Sequence, residues 1–184
     1  MRVMMMTKVT RVTEEAELPK GVSAELKGLI LTIKGPKATL SRKFFHPRMR
    51  MTVAKGKITM ETRIASRKEK ALVGTWAAHA RNMIRGVQEP FTYRMKAVYA
   101  HFPVKMTVKG NELVIENFLG ERHPRRAPIL GETKVTVKGQ ELDLVGPSLE
   151  EVGQTAANIE NATRIRDRDP RVFQDGIFIT SKGE

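Results

Sequence analysis

Apolar and polar residues alternate over short stretches of this chain, and the alternation is interrupted at four places by the same pair, Lys-Gly. Lys34-Gly35 follows LILTI, Lys55-Gly56 follows MRMTVA, Lys109-Gly110 follows VKMTV, and Lys138-Gly139 follows TKVTV. A second apolar run returns after each pair, at residues 38–40, 58–60, 113–115 and 142–145. Period-two alternation is the mark of a strand with one buried face, and glycine takes the positive backbone angles that a tight hairpin demands. The pattern therefore predicts four hairpins, two in each half of the chain, folded into two small antiparallel sheets.

After the second hairpin of each half the period changes to that of a helix. Ser66 stands three residues before Glu69 and Ser148 three before Glu151, the spacing at which serine and glutamate each satisfy an unpaired backbone N–H at a helix start. Leu72, Trp76, Ala80, Met83 and Val87 then share one face, as do Leu149, Val152, Ala156, Ile159 and Thr163. VGTWAA from Val73 aligns with VGQTAA from Val152, so the chain reads as an internal duplication. The expected fold class is α+β: two tandem similar units, each a small antiparallel sheet covered by one helix. The first helix is expected to end between Gly86 and Pro90. Residues 91–102, FTYRMKAVYAHF, read as an extended connector, which puts the boundary near Ala97 and the units at 1–96 and 97–184.

Charge changes the picture next. Lys and Arg total 33 against 20 Asp and Glu, a net of +13, which favours a polyanionic partner. The excess is one-sided: residues 1–96 hold 21 basic and 7 acidic side chains, net +14, and residues 97–184 hold 12 and 13, net −1. No apolar run approaches the length of a membrane span, and the apolar start around Val3 to Met6 is too short for a signal peptide, so no membrane partner is expected. Cysteine is absent, which excludes disulfides, thiolate chemistry and cysteine-based zinc sites and suits an intracellular location. Four methionines among the first six residues suggest no function beyond a loosely packed terminus.

The densest chemistry lies near the end. RIRDRDPRVFQDGIF, residues 164–178, carries Arg164, Arg166, Arg168 and Arg171 within eight positions, and each guanidinium can hold a phosphate through two parallel hydrogen bonds. Asp169-Pro170 stops a helix, and Asp175-Gly176 reads as a tight turn into Ile177, Phe178 and Ile179. This segment, with the helix EEVGQTAANIENATRIR and the hairpin TVKGQELDL before it, resembles the large-subunit ribosomal protein L6 family (uL6) of archaeal and eukaryotic type. The R-x-F-x-D-G core stands here as Arg171, Phe173, Asp175 and Gly176, and the resemblance runs from about Glu17 to Lys182. Family members usually carry tyrosine where this chain has Phe178. The resemblance implies a non-enzymatic structural constituent of the large ribosomal subunit, monomeric within a cytoplasmic ribosome. Its implied partners are large-subunit rRNA in domain VI near the sarcin-ricin loop, neighbouring ribosomal proteins, and translational GTPases docking nearby. The rRNA-binding residues expected are Arg164, Arg166, Arg168, Arg171, Gln174, Asp175, Gly176 and Lys182.

Two further basic clusters are secondary candidates. One is the loop GERHPRRAPILGE with Arg122, Arg125 and Arg126, for which a merely solvated loop is as good a reading. The other is SRKFFHPRMRMTVAKGK in the first half, with Arg42, Lys43, Arg48, Arg50, Lys55 and Lys57, of which the last four are the candidate RNA contacts. Charge alone would make the latter the best RNA face; the family resemblance favours the second unit, and it is given more weight. Aromatics make up 5% of the chain and fall mostly in core-like runs, so stacking of splayed bases is less expected than backbone and shape recognition of folded RNA. No phosphate-binding loop, dinucleotide fingerprint, zinc-protease or nucleophile-elbow motif is present, and the four histidines show no ligand spacing, so no cofactor or metal is expected. Two rival readings stay open: a metal-dependent RNA-processing enzyme using Asp167, Asp169 and Asp175, and a basic adaptor for an acidic protein.

Overall fold

The computed structural model describes residues 9–54, 56–100, 102–166, 168–169 and 171–183. The methionine-rich start, Lys55 and Asp167 lie outside the described residues.

The chain divides into two units between Glu89 and Pro90. The first contains β1 (Val9–Glu17), β2 (Ser23–Lys27), β3 (Ile30–Lys34), β4 (Thr39–Lys43), β5 (Met49–Ala54), β6 (Lys57–Ala65) and α1 (Arg67–Gln88). The strands form two antiparallel sheets rather than one, ordered β1-β6-β5 and β2-β3-β4. Leu31 and Ile33 of β3 and Ile58 and Met60 of β6 are fully buried with Val73, Ala77, Ala80 and Val87 of α1. Each of the leucine, isoleucine, methionine and valine side chains contributes about 1.5–3 kcal/mol by leaving water. Phe44 meets Trp76 edge-on, with ring centroids 5.2 Å apart.

The second unit contains β7 (Phe91–Val98), β8 (Lys105–Lys109), β9 (Glu112–Glu116), one 3-10 turn (Phe118–Gly120), β10 (Arg125–Pro128), β11 (Lys134–Lys138), β12 (Glu141–Gly146), α2 (Leu149–Ala162) and β13 (Gly176–Ser181). Its sheets are β10-β9-β8 and β11-β12-β7-β13. α2 packs on β10, β7, β12 and β13 and closes a core of Met95, Leu113, Ile115, Phe118, Leu142, Leu144, Val152, Ile159 and Ile177. The stretch expected to be a connector is therefore strand β7, which pairs with β12 on one side and β13 on the other. Burial of Phe91, Met95 and Ala97 assigns it to the second unit and moves the boundary back from Ala97.

The duplication is visible in the helices. Val73, Trp76, Ala77 and Ala80 of α1 and Val152, Thr155, Ala156 and Ile159 of α2 occupy the same i, i+3, i+4, i+7 positions, and all eight are buried. Their caps do not correspond. Val73 is the seventh residue after Ser66 and Val152 the fourth after Ser148, so α1 starts about one turn earlier relative to the shared face. α1 has the full reciprocal box, with Ser66 N–H donating to Glu69 at 2.7 Å and Glu69 N–H to Ser66 Oγ at 3.4 Å. In α2, Ser148 Oγ accepts from Glu151 N–H, while the Glu151 carboxylate turns to the backbone N–H of Glu132. Gly86 sits buried inside the last turn of α1 and does not cap it.

Three of the Lys-Gly glycines turn tight hairpins at positive φ, +74° at Gly56, +60° at Gly110 and +62° at Gly139; in the last two the lysine is the final strand residue, paired with Glu112 or Glu141, and the two-residue turns are Gly110-Asn111 and Gly139-Gln140. Gly35 has a different reason. A Cβ there would lie 2.6–2.7 Å from Val87, so glycine lets the β3–β4 loop press against the end of α1.

Candidate nucleic-acid interface

The arginine-bearing segment leaves α2 and returns as β13, and four attachments fix its course. Thr163, 2% exposed, donates from its hydroxyl to the carbonyls of Ile159 and Glu160 and accepts from the Ile177 N–H at 3.1 Å, joining the end of α2 to β13. Asp175 accepts from the Ala100 N–H at 3.2 Å. Asp169 receives Arg171 Nε at 3.2 Å, Nη2 at 3.0 Å and the Arg171 backbone N–H at 2.9 Å, while its carbonyl accepts from Val172 and Phe173. These bonds from Arg171 hold the Asp169 carboxyl below its ordinary range.

The fourth attachment comes from the other basic loop. Arg125 donates to Glu121 from Nε at 2.8 Å and Nη2 at 2.6 Å, and from Nη1 to the carbonyls of Ala162 at 3.0 Å and Arg164 at 3.2 Å. Its guanidinium also lies over the Phe118 ring, 4.4 Å from the centroid. A cation thus sits at the negative end of α2, where freed carbonyls need donors, and the last turn itself has no basic residue. The hydrogen bond from Arg125 lowers the Glu121 carboxyl against the opposing effect of burial, with Arg125 and Arg168 charges adding to it.

The expected site residues therefore separate. Arg164 and Arg166 are exposed, and no hydrogen bond or ion pair engages their side chains among the described residues. Arg168 is exposed and stacks over Phe173, 4.7 Å from the centroid. Arg171 is bound within the loop by Asp169. Asp175 and Gly176 are architectural: the first pins the loop, and the second is the buried first residue of β13, paired with Val98 and not at a positive-φ turn. Exposed Gln174 donates to the Arg171 carbonyl at 3.5 Å, and Lys182 is exposed. Among the secondary candidates, Arg122 is exposed, Arg126 faces Glu112 at 3.5 Å, and Arg125 is the latch described above. Arg164, Arg168, Phe173, Gln174 and Phe178 line an open groove of about 940 Å³.

The first unit places its cations differently. Arg48 bonds the buried Glu69 at 3.0 Å. Lys57 lies between Glu15 at 3.2 Å and Glu17 at 3.1 Å, which raise its pKa. Arg11 pairs with Glu61 and Arg81 with Glu14. Arg50 is exposed beside Glu61 across the β5–β6 ladder. In the second unit the acidic Asp143 is taken up by Lys138 at 2.8 Å and Glu141 is exposed. Among the described residues no group of three or more His, Asp or Glu could hold a metal ion; Asp169 and Asp175 have the partners given above. No helix among them is long and apolar enough to cross a membrane.

Comparison with known proteins adds a family. The family model described as Ribosomal protein L6 matches residues 18–90 and, a second time, residues 102–176, one match to each unit. The large ribosomal subunit protein uL6 of Methanocella arvoryzae is 53% identical over 169 residues, 91% of this chain and 96% of that protein. Those of Methanosarcina mazei and Desulfurococcus amylolyticus are 48% and 47% identical, covering 95% and 97% of this chain and 99% of each relative.

Proposed function

The chain belongs to the ribosomal protein L6 family, and on that premise we propose that it is a structural, non-enzymatic constituent of the large ribosomal subunit that grips rRNA with the loop between α2 and β13. The relatives carry the name of a large-subunit protein, which supports a cytoplasmic place in the ribosome among other ribosomal proteins. The RNA partner is domain VI near the sarcin-ricin loop, beside the site where translational GTPases dock; this placement follows the family resemblance of the C-terminal segment.

One observation carries the RNA reading. Arg164, Arg166 and Arg168 project together from a pinned loop with no carboxylate partner among the described residues, whereas in the more basic first unit Arg48, Lys57 and Arg81 are each paired and Arg50 is the exposed candidate without an ion pair among the described residues. An unpaired guanidinium on a fixed backbone can take a phosphate bidentately without first giving up a carboxylate. The mechanism is positional: the loop neutralises phosphates where they are held close, and no chemistry occurs.

The test is affinity for a domain VI rRNA fragment across a salt series. Each lost phosphate contact lowers the slope of log K against log salt by roughly 0.7–0.9, so R164A/R166A/R168A should lower it by roughly 2–3 and weaken binding. A triple variant with unchanged affinity and slope would place the phosphate contacts elsewhere in the protein.

A further inference from the structure

Phe178 does not join the core to which its apolar run would assign it. In β13 the side chains alternate: Ile177 is buried in the core of the second unit, while Phe178 is 44% exposed on the outer face. Its partner across the ladder is Lys96 of β7, also exposed and without a hydrogen bond or ion pair among the described residues. Val98, 43% exposed, is opposite Gly176 on the same face.

Gly176 sets the pose of the ring. Residues two apart on a strand share a face, and a Cβ on Gly176 would lie 2.8 Å from Phe178 Cζ and 3.0 Å from Cε2. The ring lies against the bare backbone of Gly176 and lines the groove together with Arg164, Arg168 and Gln174, with Glu160 and Asp175 also on its wall. At about 940 Å³ the groove has the size of small-molecule sites, roughly 300–1,000 Å³.

We infer that Phe178 is a stacking platform for one unpaired base of the RNA partner, with Arg164, Arg168 and Lys96 holding the adjoining phosphates. The inference rests on the RNA reading above and adds to it the recognition of a base extruded from its helix. An aromatic face flanked by cations is the arrangement that takes splayed nucleotides, since every base offers a π-face and every linkage a charge. Gln174, with an amide that both donates and accepts, stands at the rim to meet a base edge.

Stacking and phosphate contacts have different salt signatures, which makes the test separable. Against the domain VI fragment, F178Y should bind within about two-fold of wild type, since a ring is kept. F178L should bind roughly 5–150-fold more weakly, the range for losing one base–aromatic stack, with the salt slope unchanged because no phosphate contact is lost. G176A, whose methyl displaces the ring, should fall between them. In parallel, UMP and AMP titrated onto the whole protein should shift the Phe178 ring resonances, and ribose 5-phosphate should not. Wild-type affinity in F178L, or equal ring shifts from ribose 5-phosphate, would overturn the inference. A wild-type chain that does not bind the fragment at all would sink the RNA reading instead, and the nucleotide titration would then decide the platform alone.

Discussion

Arg125 offers the sharpest test of how the interface is built, because it touches no proposed ligand and yet holds the loop that does. R125A removes two bonds to carboxylate oxygens, two to the carbonyls of Ala162 and Arg164, and the contact with Phe118. The side chain is 24% exposed and Glu121 39%, so water replaces part of the carboxylate bonding and that pair adds only a few tenths of a kcal/mol. The two charged bonds to helix-end carbonyls and the ring contact carry the rest, about 2–3 kcal/mol in all. A lysine keeps the charge near the helix end but cannot bridge two carbonyls and a carboxylate at once, so R125K should lose about half of that. Amide hydrogen exchange reads the effect locally. At about tenfold per 1.4 kcal/mol, exchange at residues 163–165 and 177 should quicken roughly 30–150-fold in R125A, with little change in β11 and β12. Unchanged exchange at residues 163–165, or full protection in R125K, would refute the latch.

Four other outcomes are expected. T163V keeps the shape but strips the acceptor from the buried Ile177 N–H and should cost about 1–3 kcal/mol in thermal unfolding of the second unit. S66A and S148A each remove a 3.4 Å bond to the Glu69 or Glu151 N–H and should each cost about 0.5–2 kcal/mol, whereas E69A strips the carboxylate from the Ser66 N–H and should cost more than S66A; an E69A loss no larger than that of S66A in chemical denaturation would contradict this. R171A should leave the salt slope of RNA binding nearly unchanged, because Asp169 already occupies that guanidinium, and a slope drop matching R164A would show that the pair opens on binding. The Glu121 carboxyl is lowered on folding by Arg125, so its stabilisation is complete above the unfolded value of about 4.3 and is lost as the pH falls through the lower folded value. Acid titration followed by exchange at residues 163–165 should show that loss in wild type and not in E121Q.

Much of this protein was legible along the chain. Lys-Gly spacing marked four hairpins, the change of period at Ser66 and Ser148 marked both helices, and VGTWAA against VGQTAA marked the duplication, because turns, caps and amphipathic faces depend on residues within a few positions of one another. Even the outward aim of Phe178 was implicit in the alternation of β13, though a run of three apolar residues hid it. The number of sheets, the place of β7 at the middle of one of them, and the reason for Gly35 depended on partners up to 86 residues away and had no local mark. The same holds for the site. Composition counted Arg125, Arg171, Arg48 and Lys57 as cations of one kind with Arg164, Arg166 and Arg168. Only the folded structure brought carboxylates and helix-end carbonyls to the first four and left the other three without a carboxylate among the described residues. Charge is a property of the residue, but its availability to a phosphate is set by what the fold places within about 4 Å of it.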